Sequence, residues 1–181
     1  MSTNCIYAFG GSSKSGKTTI GRLFAQELGL RFASFGDYVR KEATGRGFRN
    51  PTPADLQTVG FSLFKTDLIG FCQSVLTDAG FVLGEGLVID GVRHLDTVSV
   101  LKELVGDQPL RIVYLESSLE ARRERGSFTR DDLDELDSHP VEAETQAVKK
   151  VANFVLDTSL LTPGDSLARI RAWSRLCYQE R

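Results

Sequence analysis

Gly11-Ser12-Ser13-Lys14-Ser15-Gly16-Lys17-Thr18 follows the pattern G-x-x-x-x-G-K-[S/T] in full. Glycines let a backbone curl so tightly that successive N–H groups face one anion. A helix starting at the end of such a loop adds the positive end of its dipole. The chemistry predicted is phosphate binding. Residues Gly11 to Gly16, with Thr19 in the first helical turn, would cradle a polyphosphate. Lys17 would reach the β- and γ-phosphates, and the Thr18 hydroxyl would reach magnesium. The pattern therefore predicts ATP and Mg²⁺ as cofactors. Lys14, inside the loop, either touches phosphate or is solvated.

A second carboxylate is expected near such a site. Asp90 ends the apolar run Leu87-Val88-Ile89, where a carboxylate organises the magnesium shell. The alternative is a turn-forming Asp before Gly91. Asp37 follows another short β-prone run and is the best-placed candidate for a general base.

These groups need elements to hold them. Cys5 to Phe9 is short, apolar and stopped by glycines, which reads as a buried strand. From Lys17 the period becomes helical through Leu28, and Gly29 ends it. Phe32 to Phe35 reads as a second strand, after which Asp37 would cap a short helix carrying Tyr38, Val39 and Arg40. Thr44 to Pro53 reads as a loop. Thr52-Pro53 then starts a helix, and Leu56, Val59, Leu63, Phe64, Leu68, Phe71, Cys72, Val75 and Leu76 predict one long apolar stripe reaching Gly80. Gly86 to Asp90 reads as a strand, Val98 to Val105 as a helix and Leu110 to Leu115 as a strand. A polar helix follows through Arg125. Val148 to Phe154 carries mixed signals, with Asn153 to Leu156 as the last strand. Pro163-Gly164 breaks the chain before a final helix, Ser166 to Tyr178. Strands alternating with helices predict an α/β protein with a parallel sheet covered on both faces. Ligands in such sheets bind beyond the carboxyl ends of the strands, where Lys17, Asp37 and Asp90 would lie.

Composition bounds the function. A chain of 181 residues, 41% hydrophobic and 25% charged, suits one globular domain. A net charge of −2 points away from nucleic acid as a partner. Cys5, Cys72 and Cys177 are too far apart and too few for a zinc site or disulfide framework, which with the lack of a signal-like leader predicts a cytoplasmic protein. No apolar run is long enough to span a membrane.

Asp90-Gly91-Val92-Arg93 and Gly36-Asp37-Tyr38-Val39-Arg40 resemble the D-G-x-x-R and G-D-x-[LV]-R segments of P-loop nucleoside monophosphate kinases, in that family's order. The resemblance extends to dephospho-coenzyme A kinase-like proteins. It implies a three-layer P-loop fold with a five-stranded parallel sheet in the order 2-3-1-4-5. It also implies one domain over 1–181, with a helical acceptor-binding lobe near 36–80 and a short lid near 122–142. Arg40 and Arg93 would grip the acceptor's phosphate, as guanidinium forks do, with Asp37 and Arg49 also in the acceptor site. Arg40 could instead solvate its helix, and Arg93 could pair with Asp96. Arg122, Arg125 and Arg130 would be lid arginines that neutralise the transferring phosphoryl, or else exposed charges. The acidic run Asp131 to Asp137 reads as solvated.

The expected activity is γ-phosphoryl transfer to a small acceptor, first a nucleoside or deoxynucleoside monophosphate. The alternative is a hydroxyl acceptor, with Asp37 as base. A nucleotide switch module is a second alternative, but the GTPase-type base motif has no counterpart beyond Lys65-Thr66-Asp67.

Overall fold

The computed structural model describes residues 4–125 and 140–179. Its five strands are β1 (Ile6–Gly11), β2 (Arg31–Ser34), β3 (Leu87–Val92), β4 (Leu110–Glu116) and β5 (Phe154–Asp157). All pairings are parallel, and the order is β2-β3-β1-β4-β5. The sheet order is the one expected. The helices are α1 (Lys17–Leu28), α2 (Phe35–Gly45), α3 (Pro53–Thr66), α4 (Leu68–Asp78), α5 (Leu95–Val105), α6 (Leu119–Glu124), α7 (Pro140–Lys150) and α8 (Pro163–Gln179). No described helix is long and apolar enough to cross a membrane.

Strand alternation splits the core in two. Ile6, Ala8, Leu87, Ile89 and Tyr114 face α2 to α5 and α7, while Tyr7, Phe9, Val88, Val113 and Leu115 face α1 and α8. Because both faces are covered, β1 is buried at every position and carries no polar alternation. Cys5 and Cys72 lie within these two clusters. Burial pushes the Cys72 thiol up to about 12, so it stays protonated and inert.

Five features differ from expectation. The stripe from Leu56 to Leu76 is two helices, because Asp67 leaves helical geometry (φ −157°, ψ 87°) and accepts a hydrogen bond from Gly70 N–H at 2.8 Å. The apolar period runs in phase across that break, which is why the sequence reads as continuous. Ser34, not Asp37, caps α2: its hydroxyl accepts the Asp37 N–H, which puts Asp37 in the first turn. That helix also runs to Gly45, into the expected loop. Helix α7 was not anticipated, since among the described side chains of its polar sequence only Thr145 and Val148 are fully buried. The last helix starts at Pro163 rather than Ser166.

Two helices share one start signal. Thr52-Pro53-Ala54-Asp55 forms a reciprocal box in which the Thr52 hydroxyl accepts Asp55 N–H and the Asp55 carboxylate accepts Thr52 N–H. Thr162-Pro163-Gly164-Asp165 makes the same pair of bonds at the start of α8.

Candidate active site

β1 lies between β3 and β4; α1, which follows β1, packs on one face of the sheet, and α7, which follows β4, packs on the other. A crevice opens at such a switch point, beyond the carboxyl ends of the strands. The 11–16 loop fills it. Gly11 has φ 139°, and a Cβ there would stand 2.0 Å from the Leu115 carbonyl oxygen, so only glycine lets the loop lie against β4. Lys14 and Gly16 take left-handed φ of 64° and 88°, which curls the loop back into α1. Ser15 N–H donates to the Ser12 carbonyl at 3.2 Å and closes the turn.

Lys17 is buried, and its Nζ donates to the Ser12 carbonyl at 2.9 Å. The lysine thus folds over its own loop, where an anion would sit. Ser12, Ser13 and Ser15 are buried as well, while Lys14, Thr18 and Thr19 are exposed. The Ser15 hydroxyl has no hydrogen-bond partner among the described residues.

Asp90 is paired in the sheet with Phe9 of β1 and Ser34 of β2, which aims it across the crevice. The Thr18 hydroxyl donates to Asp90 Oδ2 at 2.7 Å. Asp90 Oδ1 is buried with no partner among the described residues. Burial raises the Asp90 carboxyl above its ordinary value, and nearby Lys17 and the Thr18 bond oppose that rise. An orphaned carboxylate oxygen beside a hydroxyl is a donor set that fits a hard cation such as Mg²⁺. Among the described residues no group of three His, Cys, Asp or Glu side chains forms a dedicated metal cage. Few protein ligands is what Mg²⁺ wants when phosphates supply the rest.

On the other side of the crevice, Asp37 is held by two arginines. Arg40 donates to Oδ1 at 2.8 Å, and Arg22 of α1 bonds Oδ2. The Arg22 guanidinium also lies 4.5 Å from the Phe32 ring centroid. Asp37 is close enough to Asp90 that its charge raises the Asp90 carboxyl, and Arg93 is close enough to lower it. Arg93 follows β3 and is half-buried; its carbonyl accepts the Thr145 hydroxyl at 3.4 Å. The adjacent His94 stacks on Phe64 at 4.2 Å and bonds Glu144 of α7. Arg49 is exposed in the loop between α2 and α3. A cavity of about 400 Å³ opens between α2, α3 and α4, lined by Tyr38, Arg46, Ser62, Thr66, Asp67 and Phe71 among others.

At the β5 end, Arg122 is buried in α6. Arg125 donates through Nη1 to Ser117 Oγ at 3.1 Å and to Thr158 Oγ1 at 3.0 Å, and its Nη2 bonds the Thr158 carbonyl. Its guanidinium therefore faces the loop after β5. Arg130 and the acidic run 131–137 lie outside the described residues, as does most of the expected lid. Sequence reasoning missed Arg22, whose one signal was its place on the exposed face of α1. The Asp157-Thr158-Ser159 segment is similar in position to the one that holds adenine by its backbone in related kinases, but the reach of the Thr158 hydroxyl to the phosphate loop has no sequence signal.

A phosphate loop at the switch point of a 2-3-1-4-5 parallel sheet defines the class: a P-loop kinase-like fold. The chain covers 99% of itself and 96% of the shikimate kinase from Acinetobacter baumannii in complex with shikimate, at a TM-score of 0.62 and 20% identity. A gluconokinase from Sinorhizobium meliloti matches over the full length of both chains, at a TM-score of 0.52 and 16% identity. No family model matches the chain. By sequence it belongs to the UPF0200 proteins, a name that states no activity. It is 30% identical over 137 residues to the UPF0200 protein of Methanosarcina barkeri, covering 71% of that relative. It is 33% identical to those of Aeropyrum pernix and Pyrobaculum aerophilum, but spans only 50% and 63% of their lengths.

Proposed function

We propose that this chain is an ATP- and magnesium-dependent phosphotransferase that moves the γ-phosphoryl group onto a small-molecule acceptor. The observation that carries the proposal is the pairing of buried Lys17 and Asp90, the latter bonded by the Thr18 hydroxyl, at a glycine-curled loop that opens a helix. Thr18 and Asp90 would hold Mg²⁺, which would neutralise charge on the β- and γ-phosphate oxygens. Lys17 would leave the Ser12 carbonyl for those oxygens and stabilise charge as the phosphoryl moves. Arg122 and Arg125 would be the candidates for completing that charge from the β4–β5 side, with Arg130, outside the described residues, as a third.

The acceptor we favour carries a phosphate, as a nucleoside or deoxynucleoside monophosphate does. Support comes from Arg22 and Arg40, which meet at Asp37, from Arg93, whose charge reaches Asp90, and from Arg49 in the loop that follows α2. Such a nucleophile is already ionised and needs positioning rather than a base. In this reading Asp37 orients Arg40 and Arg22. A hydroxyl acceptor is the second reading. It draws support from the nearness of Asp37 to Asp90 and from the shikimate kinase and gluconokinase that share the fold. There Asp37 would take the hydroxyl proton as the oxygen attacks the γ-phosphorus and ADP leaves.

A coupled ADP-release assay with nucleoside monophosphates, shikimate, gluconate, dephospho-coenzyme A and water tests both readings. Release with none of the acceptors beyond the water rate sinks the kinase proposal. Asp37→Asn separates the two. A base role predicts a kcat loss of about 10²- to 10⁴-fold, and an orienting role predicts a raised acceptor KM with kcat nearly kept.

A further inference from the structure

Thr158 follows β5, on the far side of the crevice from Asp37, and is fully buried. Its hydroxyl lies 3.0 Å from the Ser15 carbonyl of the phosphate loop and 3.0 Å from the Glu116 carbonyl at the end of β4. A hydroxyl has one proton to give and two lone pairs to offer. Arg125 donates to the same oxygen at 3.0 Å and also bonds the Thr158 carbonyl. Thr158 N–H donates to the Glu116 carbonyl at 2.9 Å, which fixes the backbone that carries the hydroxyl. Arg125 and the Glu116 carbonyl therefore flank the oxygen before it meets the loop; because the Glu116 carbonyl already accepts the Thr158 N–H, the single hydroxyl proton is assigned to the Ser15 carbonyl.

What it meets is one particular peptide unit. Ser15 C=O and Gly16 N–H belong to a single planar trans group, so the N–H points opposite to the carbonyl. A donor that fixes the direction of the Ser15 carbonyl thereby aims the Gly16 N–H. Gly16 sits at φ 88°, a conformation glycine adopts without a Cβ penalty, so no side chain of its own sets the tilt of this peptide plane. Within the loop, Ser15 N–H is tied to Ser12, but that bond anchors the preceding peptide.

We propose that Thr158 is a positioning residue for nucleotide phosphates: its hydroxyl, braced by Arg125, fixes the Ser15–Gly16 peptide so that the Gly16 N–H faces the anion. The inference rests on reading the 11–16 loop as the phosphate cradle. It makes Arg125 a brace for that cradle instead of a group that contacts the phosphoryl.

Thr158→Val removes the hydroxyl and keeps the shape, and Thr158→Ser keeps the hydroxyl. In the full chain, calorimetric titration with ATP and Mg²⁺ should show Thr158→Val weakened about tenfold, as expected for one lost buried bond that also misaims a donor. Thr158→Ser should stay within about threefold of the parent, and acceptor KM should move less than ATP affinity in both. The Gly16 amide resonance should shift in the valine variant and return in the serine variant. ATP binding unchanged in Thr158→Val overturns the inference. So does a valine variant whose loss of ATP affinity is matched by an equal loss for the acceptor and a collapsed melting temperature, which marks a packing role. Absence of ATP binding in the parent chain would instead strike the cradle reading itself.

Discussion

Lys17 and Asp90 are 7% and 4% exposed, whereas Asp37 and Arg40 keep about half of their side chains in water, at 48% and 60%. The phosphate side of the crevice is fixed by burial and by backbone: glycines pressed on β4, a lysine folded onto its loop, a carboxylate in mid-sheet. The proposed acceptor side is a set of long side chains, Arg22 on α1 with Asp37 and Arg40 on α2, paired with one another at the surface. Exposed pairs of this kind contribute little to stability and exchange partners readily. On the proposed reading the phosphate side is preorganised, and the acceptor side would redirect its side chains onto an incoming anion.

The contrast can be broken most directly at Lys17. Lys17→Ala should lower kcat/KM by about 10³-fold with the melting temperature nearly kept, measured by coupled assay and calorimetry. Wild-type turnover in that variant would remove Lys17 from the reaction. Asp90→Asn should cost about 10²-fold in kcat and move the magnesium requirement upward. It should also melt higher than the parent in metal-free buffer near neutral pH. The sign follows from the raised Asp90 carboxyl. Its stability contribution is fully present below the ordinary value of 3.8 and is lost as pH rises through the folded value. The gap between variant and parent should therefore open with rising pH; a gap that opens in acid contradicts this account.

Arg93→Ala sharpens the acceptor side. It should raise acceptor KM about tenfold with ATP affinity little changed. Equal losses for both ligands would place Arg93 outside the acceptor site. The smallest effect is expected at Gly70, where a Cβ would lie 2.2 Å from Asp67 Oδ2. Gly70→Ala should disturb the α3–α4 corner at a cost of about 1–2 kcal/mol, read by denaturant unfolding, with turnover retained.

The same contrast explains what the sequence disclosed. The loop and Asp90 were legible because their chemistry depends on local backbone: a glycine spacing, and a carboxylate ending an apolar run. Sheet order followed once those motifs suggested the fold. The acceptor side was less legible. Asp67 breaks a stripe whose period never falters, so only its Asp-to-Gly70 capping distance marks the corner. Asp37 resembles a cap because Ser34, three residues earlier, was assigned to a strand. Arg22, Glu144 and Thr158 act through partners 15, 50 and 143 positions away, a distance over which spacing carries no signal.

The twin Thr-Pro-x-Asp boxes at Thr52 and Thr162 carry a consequence for how the molecule yields to acid. Each clasp needs four neighbouring residues and no sheet, so both can close early, before distant strands find one another. Bonds from Thr52 and Thr162 hold the Asp55 and Asp165 carboxyls below their ordinary values. Each clasp therefore helps at neutral pH and lets go as pH falls through that lowered value. Acid should loosen the front ends of α3 and α8, read as reduced protection from amide exchange at Asp55 and Asp165 as pH falls through that lowered value.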